Sequence, residues 1–381
     1  MYLLKGKLFI MKKKILIIII VLLILAAIAF LLSKTLFKSQ NLPGSNPTPN
    51  VDKNSVTYNG WLHTDGAQLK NEKNELIQLR GVSSHGIEWF PECVNYKEME
   101  ILKKDWNINV FRVAMYTDAG NSGYVHNPDF NMTKVCNVID DAIKLDMYVI
   151  VDWHILSDNN PQIHQEDAAK FFDEISRKYA DKPNVIYEIC NEPNGNTSWE
   201  NNVKPYAEKI IPIIRNNSKN SFIIVGTPNW CLSIDSAANS PLKFDNVAYS
   251  FHFYAGSHGS EYRRIIDECR EKNIPIFISE CGLTDASGNG LTYFKEFEDW
   301  ITYINDKNLS WVYWSFCNKN ESSAILTPAY SFSYLHEDSN DSNKNNNSTS
   351  DTQEVDTNDS IDFNDYLSEA GKFIREIFKK Y

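Results

Sequence analysis

Short apolar and β-branched runs recur along the chain, at residues 76–81, 108–116, 147–153, 184–189, 222–226, 247–253, 274–279 and 309–316. Between them lie stretches with apolar residues at helical spacing, among them NYKEMEILKKDW, TKVCNVIDDAIKLD, QEDAAKFFDEISRKYA and LTYFKEFEDWITYINDK. Strands that are apolar throughout, rather than alternating, are those buried on both faces of a parallel sheet. Eight strand–helix units in series predict an α/β chain folded as a (β/α)8 (TIM) barrel. Ahead of the first unit, GWLHTDGAQLKNEKNELIQLRG holds two strand-like pieces around a polar turn and predicts a hairpin. At the far end, DFNDYLSEAGKFIREIFKKY places Tyr366, Leu367, Phe373, Ile374 and Ile377 on one side, which makes it the eighth helix that the count requires.

Two segments break this rhythm. Residues 15–32 are eighteen consecutive apolar residues, with five lysines before them and two soon after, and no acid occurs before Asp52. That length reaches the threshold for spanning a bilayer, and the lysine bias keeps the N-terminus in the cytoplasm. The expected organisation is a cytoplasmic stub and transmembrane signal anchor over 1–35, a Pro/Asn/Ser-rich linker over 36–55 and the barrel domain over 56–381. The barrel domain then lies outside the cell on a single-pass anchor. It is secreted instead if Ala27-Ile28-Ala29 is a signal-peptide cleavage site. The second segment, about 336–360, is acidic and Asn/Ser-rich. It has too little apolar surface to offset its ordering entropy, so a disordered insertion is expected.

Composition narrows the function classes. A net charge of −11 provides no basic face for phosphates, so no nucleic-acid partner is expected, and no Gly-rich phosphate loop occurs. Seven cysteines, at 93, 136, 190, 231, 269, 281 and 317, show no paired spacing and read as small buried hydrophobes. Nine tryptophans exceed what a core needs and favour a ligand with flat faces.

In such a barrel the chemistry sits at the C-terminal ends of the strands. The runs here end in Arg112, in Asp152-Trp153-His154, in Asn191-Glu192-Pro193, in His252 and Tyr254, in Glu280 and in Trp314, and His85 and Trp89 follow the first run. Burying a carboxylate is costly unless it is paired or used. Glu192 and Glu280 converging on one mouth therefore point to paired acid/base and nucleophilic work, as in glycoside hydrolysis. No metal or other cofactor is expected.

The motifs GVSSHGIEWF, FRVAMY, VIVDWHIL, VIYEICNEP, YSFHFYAGSH, FISECG and WVYWSFCNKNESSAIL, in this order over about residues 58–380 without the insertion, closely resemble glycoside hydrolase family 5 in its bacterial endoglucanase branch. The resemblance implies a retaining double displacement with Glu192 as acid/base and Glu280 as nucleophile. It implies that Asn191 binds the sugar 2-hydroxyl, that Tyr254 touches the nucleophile, and that His154 and His252 complete the polar shell. Arg112 suits a place beside Glu280, because an opposite charge favours the ionised form that attacks. By family position Trp314 floors the cleavage subsite, Trp89 with His85, Lys319 and Glu321 forms the donor side, and Trp230 forms the acceptor side. Tyr116 is a further candidate for substrate contact.

The implied substrate is a β-1,4-glucan, cellulose or a related polysaccharide, cut by a monomeric endoglucanase. A family 5 mannanase or xylanase is the near alternative. Two rivals come from other classes. A metal-dependent amidohydrolase barrel needs a His-x-His pair after the first strand, where only His85 stands. A non-catalytic carbohydrate-binding barrel usually lacks one of the two glutamates, and both are present here.

Overall fold

The computed structural model describes residues 51–331 and 362–381. The expected anchor at 15–32 and the acidic insertion at 336–360 lie outside the described residues. Among those described, no helix is long and apolar enough to cross a membrane.

The predicted hairpin is present as β1 (His63–Asp65) and β2 (Gln68–Lys70), antiparallel with Asp65 opposite Gln68. Eight further strands follow: β3 (Arg80–Ser84), β4 (Val110–Tyr116), β5 (Tyr148–His154), β6 (Val185–Glu188), β7 (Phe222–Val225), β8 (Val247–Tyr254), β9 (Ile276–Gly282) and β10 (Trp311–Phe316). Every neighbouring pair is parallel, and β10 pairs with β3, so the sheet closes into a barrel. Helices cover the outside, including Tyr96–Trp106, whose start is capped by the Asn95 side chain, and Gln165–Lys178.

The first strand departs from the sequence expectation. The run at 76–81 is apolar because Ile77 and Leu79 plug the bottom of the barrel with Val56, Leu62 and Leu69, while β3 itself begins at Arg80. Its inner residues are small and polar, with Ser83 and Ser84 fully buried. The final helix runs over Glu369–Lys380 and buries Ala370, Ile374, Ile377 and Phe378. Tyr366 and Leu367 precede it. Phe378, absent from the expected face, stacks on Trp311 with centroids 4.8 Å apart and planes 7° from parallel. All seven cysteines are buried and unpaired.

Alternation along parallel strands sorts the barrel interior into layers. The lower layer is apolar: Val110, Tyr148, Ile150, Ile186, Phe222, Ile224, Ala248, Phe277 and Val312. Two residues further along several of the same strands stand Arg112, Asp152, Glu188, Ser250 and Ser279, all fully buried. The apolar plug keeps water out from below, so these polar groups can satisfy one another or face the open end.

Candidate active site

Arg112 organises the polar layer. Its Nε donates to Glu188 Oε2 at 2.7 Å, Nη1 to Glu280 Oε2 at 3.0 Å, and Nη2 to Asn191 Oδ1 at 2.7 Å. Nη2 also lies 3.0 Å from Asp152 Oδ2. Burial works against the guanidinium charge, but Asp152, Glu188 and Glu280 outweigh it and hold the pKa well above its ordinary value.

Glu280 reaches the site through a local irregularity. Between Ser250 and His252 on β8 there is one intervening residue, whereas β9 has two between their partners Phe277 and Glu280. A bulge of this kind bends the strand and re-aims side chains. As a result Ser279 and Glu280, adjacent in sequence, both contribute to the site: the first hydrogen-bonds Glu188, the second Arg112. The Tyr254 hydroxyl donates to the other oxygen of Glu280 at 2.7 Å.

Glu192 leaves the end of β6 on a segment that packs tightly against β7. A Cβ on Gly226 would stand 2.3 Å from the Cys190 carbonyl and 2.5 Å from that of Asn191, so only glycine permits this approach. The Asn191 amide nitrogen Nδ2 donates to the Ile155 carbonyl at 3.1 Å and lies 3.2 Å from His154 Nε2. His154 Nδ1 is 2.5 Å from Asp152 Oδ2. Cys231, for which packing alone was expected, also donates its thiol to the Asn191 carbonyl at 2.9 Å.

The two catalytic candidates have different surroundings. Burial pushes Glu192 up to about 7, with Arg112 opposing the shift. Its Oε1 lies 2.8 Å from His252 Nδ1, while Glu280 accepts from a guanidinium and a phenol. Burial likewise pushes His252 down to about 4, so the ring is neutral at physiological pH. A carboxylate oxygen of Glu192, one of Glu280 and a ring nitrogen of His252 all lie within 4.8 Å of one another. That trio has the donor types of a metal site. Arg112 donates into the same Glu280, however, and its positive charge already partners that carboxylate.

Above the pair lies a cavity of about 490 Å³ whose walls include Glu192, Glu280, Tyr254, Trp314, Trp230 and Tyr116. Trp314 stacks beside His154, with centroids 5.4 Å apart, and Trp230 is 46% exposed. On one flank His85 Nε2 lies 3.2 Å from Lys319 Nζ, which pairs with Glu321 at 2.6 Å. Trp89, also 46% exposed, sits outside the cavity lining with its ring against Tyr116 at 4.7 Å. Thirteen of the predicted residues thus line the cavity or support its floor, and Trp89 reaches it through Tyr116.

Three buried partners went unassigned in the sequence: Asp152, Glu188 and Ser279. Glu188 carried a readable signal, because an acid inside a wholly buried strand demands a partner. Ser279 carried none, since a serine that follows plain alternation within a buried strand does not announce a partner.

The comparisons agree with this geometry. A family model described as Cellulase (glycosyl hydrolase family 5) matches residues 69–320. An endoglucanase of Clostridium saccharobutylicum is 47% identical over 283 residues, covering 74% of this chain and 62% of the relative. Endoglucanase A of Evansella cellulosilytica is 49% identical over 66% of this chain and 51% of its own length. The chain therefore spans about three fifths of the first of these relatives and about half of the second. Among solved structures, Cellulase Cel5C_n superposes with a TM-score of 0.74 at 39% identity, covering 85% of this chain and 93% of that one. The catalytic domain of Thermobifida fusca endoglucanase Cel5A, also solved as a variant in complex with cellotetraose, is 31% identical, with a TM-score of 0.73 over 85% of this chain and 99% of its own. Closed parallel barrel, paired glutamates at the ends of β6 and β9, and a matching family model over the same span make one assignment: the chain belongs to glycoside hydrolase family 5.

Proposed function

We propose that the protein is a retaining endo-β-1,4-glucanase in which Glu192 is the acid/base and Glu280 the nucleophile. The observation that carries this reading is the close approach of two carboxylates in unlike settings. Retaining pairs stand roughly 5–5.5 Å apart, whereas inverting pairs need about 6.5–9.5 Å to seat a water between them. One oxygen of Glu192 and one of Glu280 lie within 4.8 Å of each other, which favours the closer, retaining arrangement. Glu192, raised to about 7, holds a proton for the leaving oxygen. Glu280, held from both sides by Arg112 and Tyr254, points an acceptor oxygen toward the anomeric carbon.

Arg112 and His154 fix Asn191 from below for the sugar 2-hydroxyl. Trp314 offers a flat face to the axial C–H surface of a β-linked glucose. Trp230 extends that platform toward the acceptor, and His85, Lys319 and Glu321 with Trp89 and Tyr116 supply the donor side. The endoglucanase relatives and the cellotetraose complex of the Thermobifida fusca enzyme support glucan over mannan or xylan. Incubation with carboxymethyl cellulose, mixed-linkage glucan, mannan and xylan tests the substrate by release of reducing ends. The first two should be cut fastest; cleavage of mannan with none of soluble cellulose would overturn the glucan assignment.

The apolar run at 15–32, with its flanking lysines, supports a membrane-held enzyme with the barrel outside the cell. Fractionated cells should then carry the activity in the membrane fraction. Activity found wholly in the medium would exclude the anchor.

A further inference from the structure

Beneath Glu192 lies a buried chain of hydrogen bonds that the displacement reaction itself does not require. His252 Nδ1 faces Glu192 Oε1 at 2.8 Å, and its Nε2 faces Ser279 Oγ at 3.1 Å. Ser279 Oγ has two more partners, Glu188 Oε1, to which it donates, and Ser250 Oγ at 2.5 Å. A serine hydroxyl has one proton to give. Glu188 takes it, because its other oxygen receives Arg112 Nε at 2.7 Å and the carboxylate can only accept. Ser279 must then accept from both other neighbours, and His252 Nε2 must carry a hydrogen. In a neutral imidazole this leaves Nδ1 with a lone pair aimed at Glu192.

We propose that Ser279 and Glu188 are positioning residues that lock His252 in its Nε2–H tautomer, so that Nδ1 accepts the proton Glu192 holds in the resting enzyme. The inference rests on the acid/base role given to Glu192 above. Protonated Glu192 finds an acceptor in Nδ1, while ionised Glu192 faces a lone pair and is driven to recover a proton. Both effects serve a group that must act first as acid and then as base.

The remaining titratable groups around the pair come from every neighbouring strand. Arg112 and Tyr116 belong to β4, Asp152 and His154 to β5, Glu280 to β9. Tyr254 ends β8, Cys231 ends the short helical segment Pro228–Cys231 after β7, and His258 lies in the loop beyond β8. Burial raises Glu188, but Arg112 against it restrains the shift. Burial also pushes Asp152 and Glu192 up, each to about 7. Among the described residues, the His252 ring nitrogens hydrogen-bond only Glu192 and Ser279.

Nitrogen-15 NMR of the histidine-labelled full chain reads the tautomer directly, with His252 assigned by loss of its signals in His252→Asn. The expected result below pH 7 is a protonated Nε2 and a pyridine-like Nδ1. A proton on Nδ1 in the unaltered chain would overturn the proposal. In Ser279→Ala the proton should move to Nδ1, and the basic limb of kcat/KM should fall by about one pH unit, because a donor now faces the carboxylate. An unmoved limb in a folded Ser279→Ala would overturn it equally. Because the tautomer is read without turnover, an inactive chain with its proton on Nε2 would refute the proposed function and leave the tautomer lock supported.

Discussion

Replacing Glu280 with alanine is expected to lower hydrolysis of soluble cellulose by roughly 10⁴-fold or more, the scale on which removal of a nucleophile acts. The side chain is 5% exposed and held by Arg112 and Tyr254, so water cannot occupy its place with the same charge and aim. The substitution leaves a small opening on the face of the sugar from which Glu280 would attack. Azide added with a β-cellobioside bearing a dinitrophenyl leaving group should enter that opening and yield the α-glycosyl azide. In Glu192→Ala the covalent intermediate still forms on Glu280, so azide attacks from the opposite face and the β-glycosyl azide is expected. Identical anomers from the two variants, or the reverse assignment, would show that the roles of the two glutamates are misread.

The second large effect concerns pH. A neutral glucan has no titratable group, so the pH dependence of kcat/KM reports the free enzyme. Glu192 must be protonated to assist the leaving oxygen, and burial places it near pH 7. Activity should therefore be level on this limb from about one unit below pH 7 downward, be halved near pH 7 and approach a tenfold fall for each unit above it. Glu192→Gln cannot lose a proton in this range. It should lower kcat/KM on glucan by roughly 10²–10⁴-fold and erase the limb. With a dinitrophenyl leaving group, which departs without protonation, formation of the intermediate should be much less impaired and its hydrolysis should become slow. A basic limb that persists in Glu192→Gln belongs to another group, and the acid role of Glu192 would fall with it.

Much of the site was legible because a barrel converts sequence position into spatial position. Each run that ended in a polar or aromatic residue delivered it to one rim, so Glu192 and Glu280, far apart in sequence, could be placed together without coordinates. The loops carried less information: Trp89 came out on the rim against Tyr116 rather than in the cavity wall. At the first strand the apolar pattern was real but served the plug at the barrel floor, because hydrophobicity reports burial and not which layer is buried.

The periodicity of the chain by itself determined the eight-unit architecture, and the residues after its strands determined where the chemistry lies. Both depend on short-range pattern, which a linear text preserves. Only the tertiary structure decided that one guanidinium serves Asp152, Glu188 and Glu280 together, and that a bulge in β9 turns Glu280 into the same space as Ser279. It also decided that Glu192 is the glutamate set against a neutral histidine. Those properties arise from closure of the barrel, which removes water and sets distances between groups as many as 168 positions apart. Burial and charge proximity then assign the two carboxyls their unlike environments, and no local run of residues encodes either.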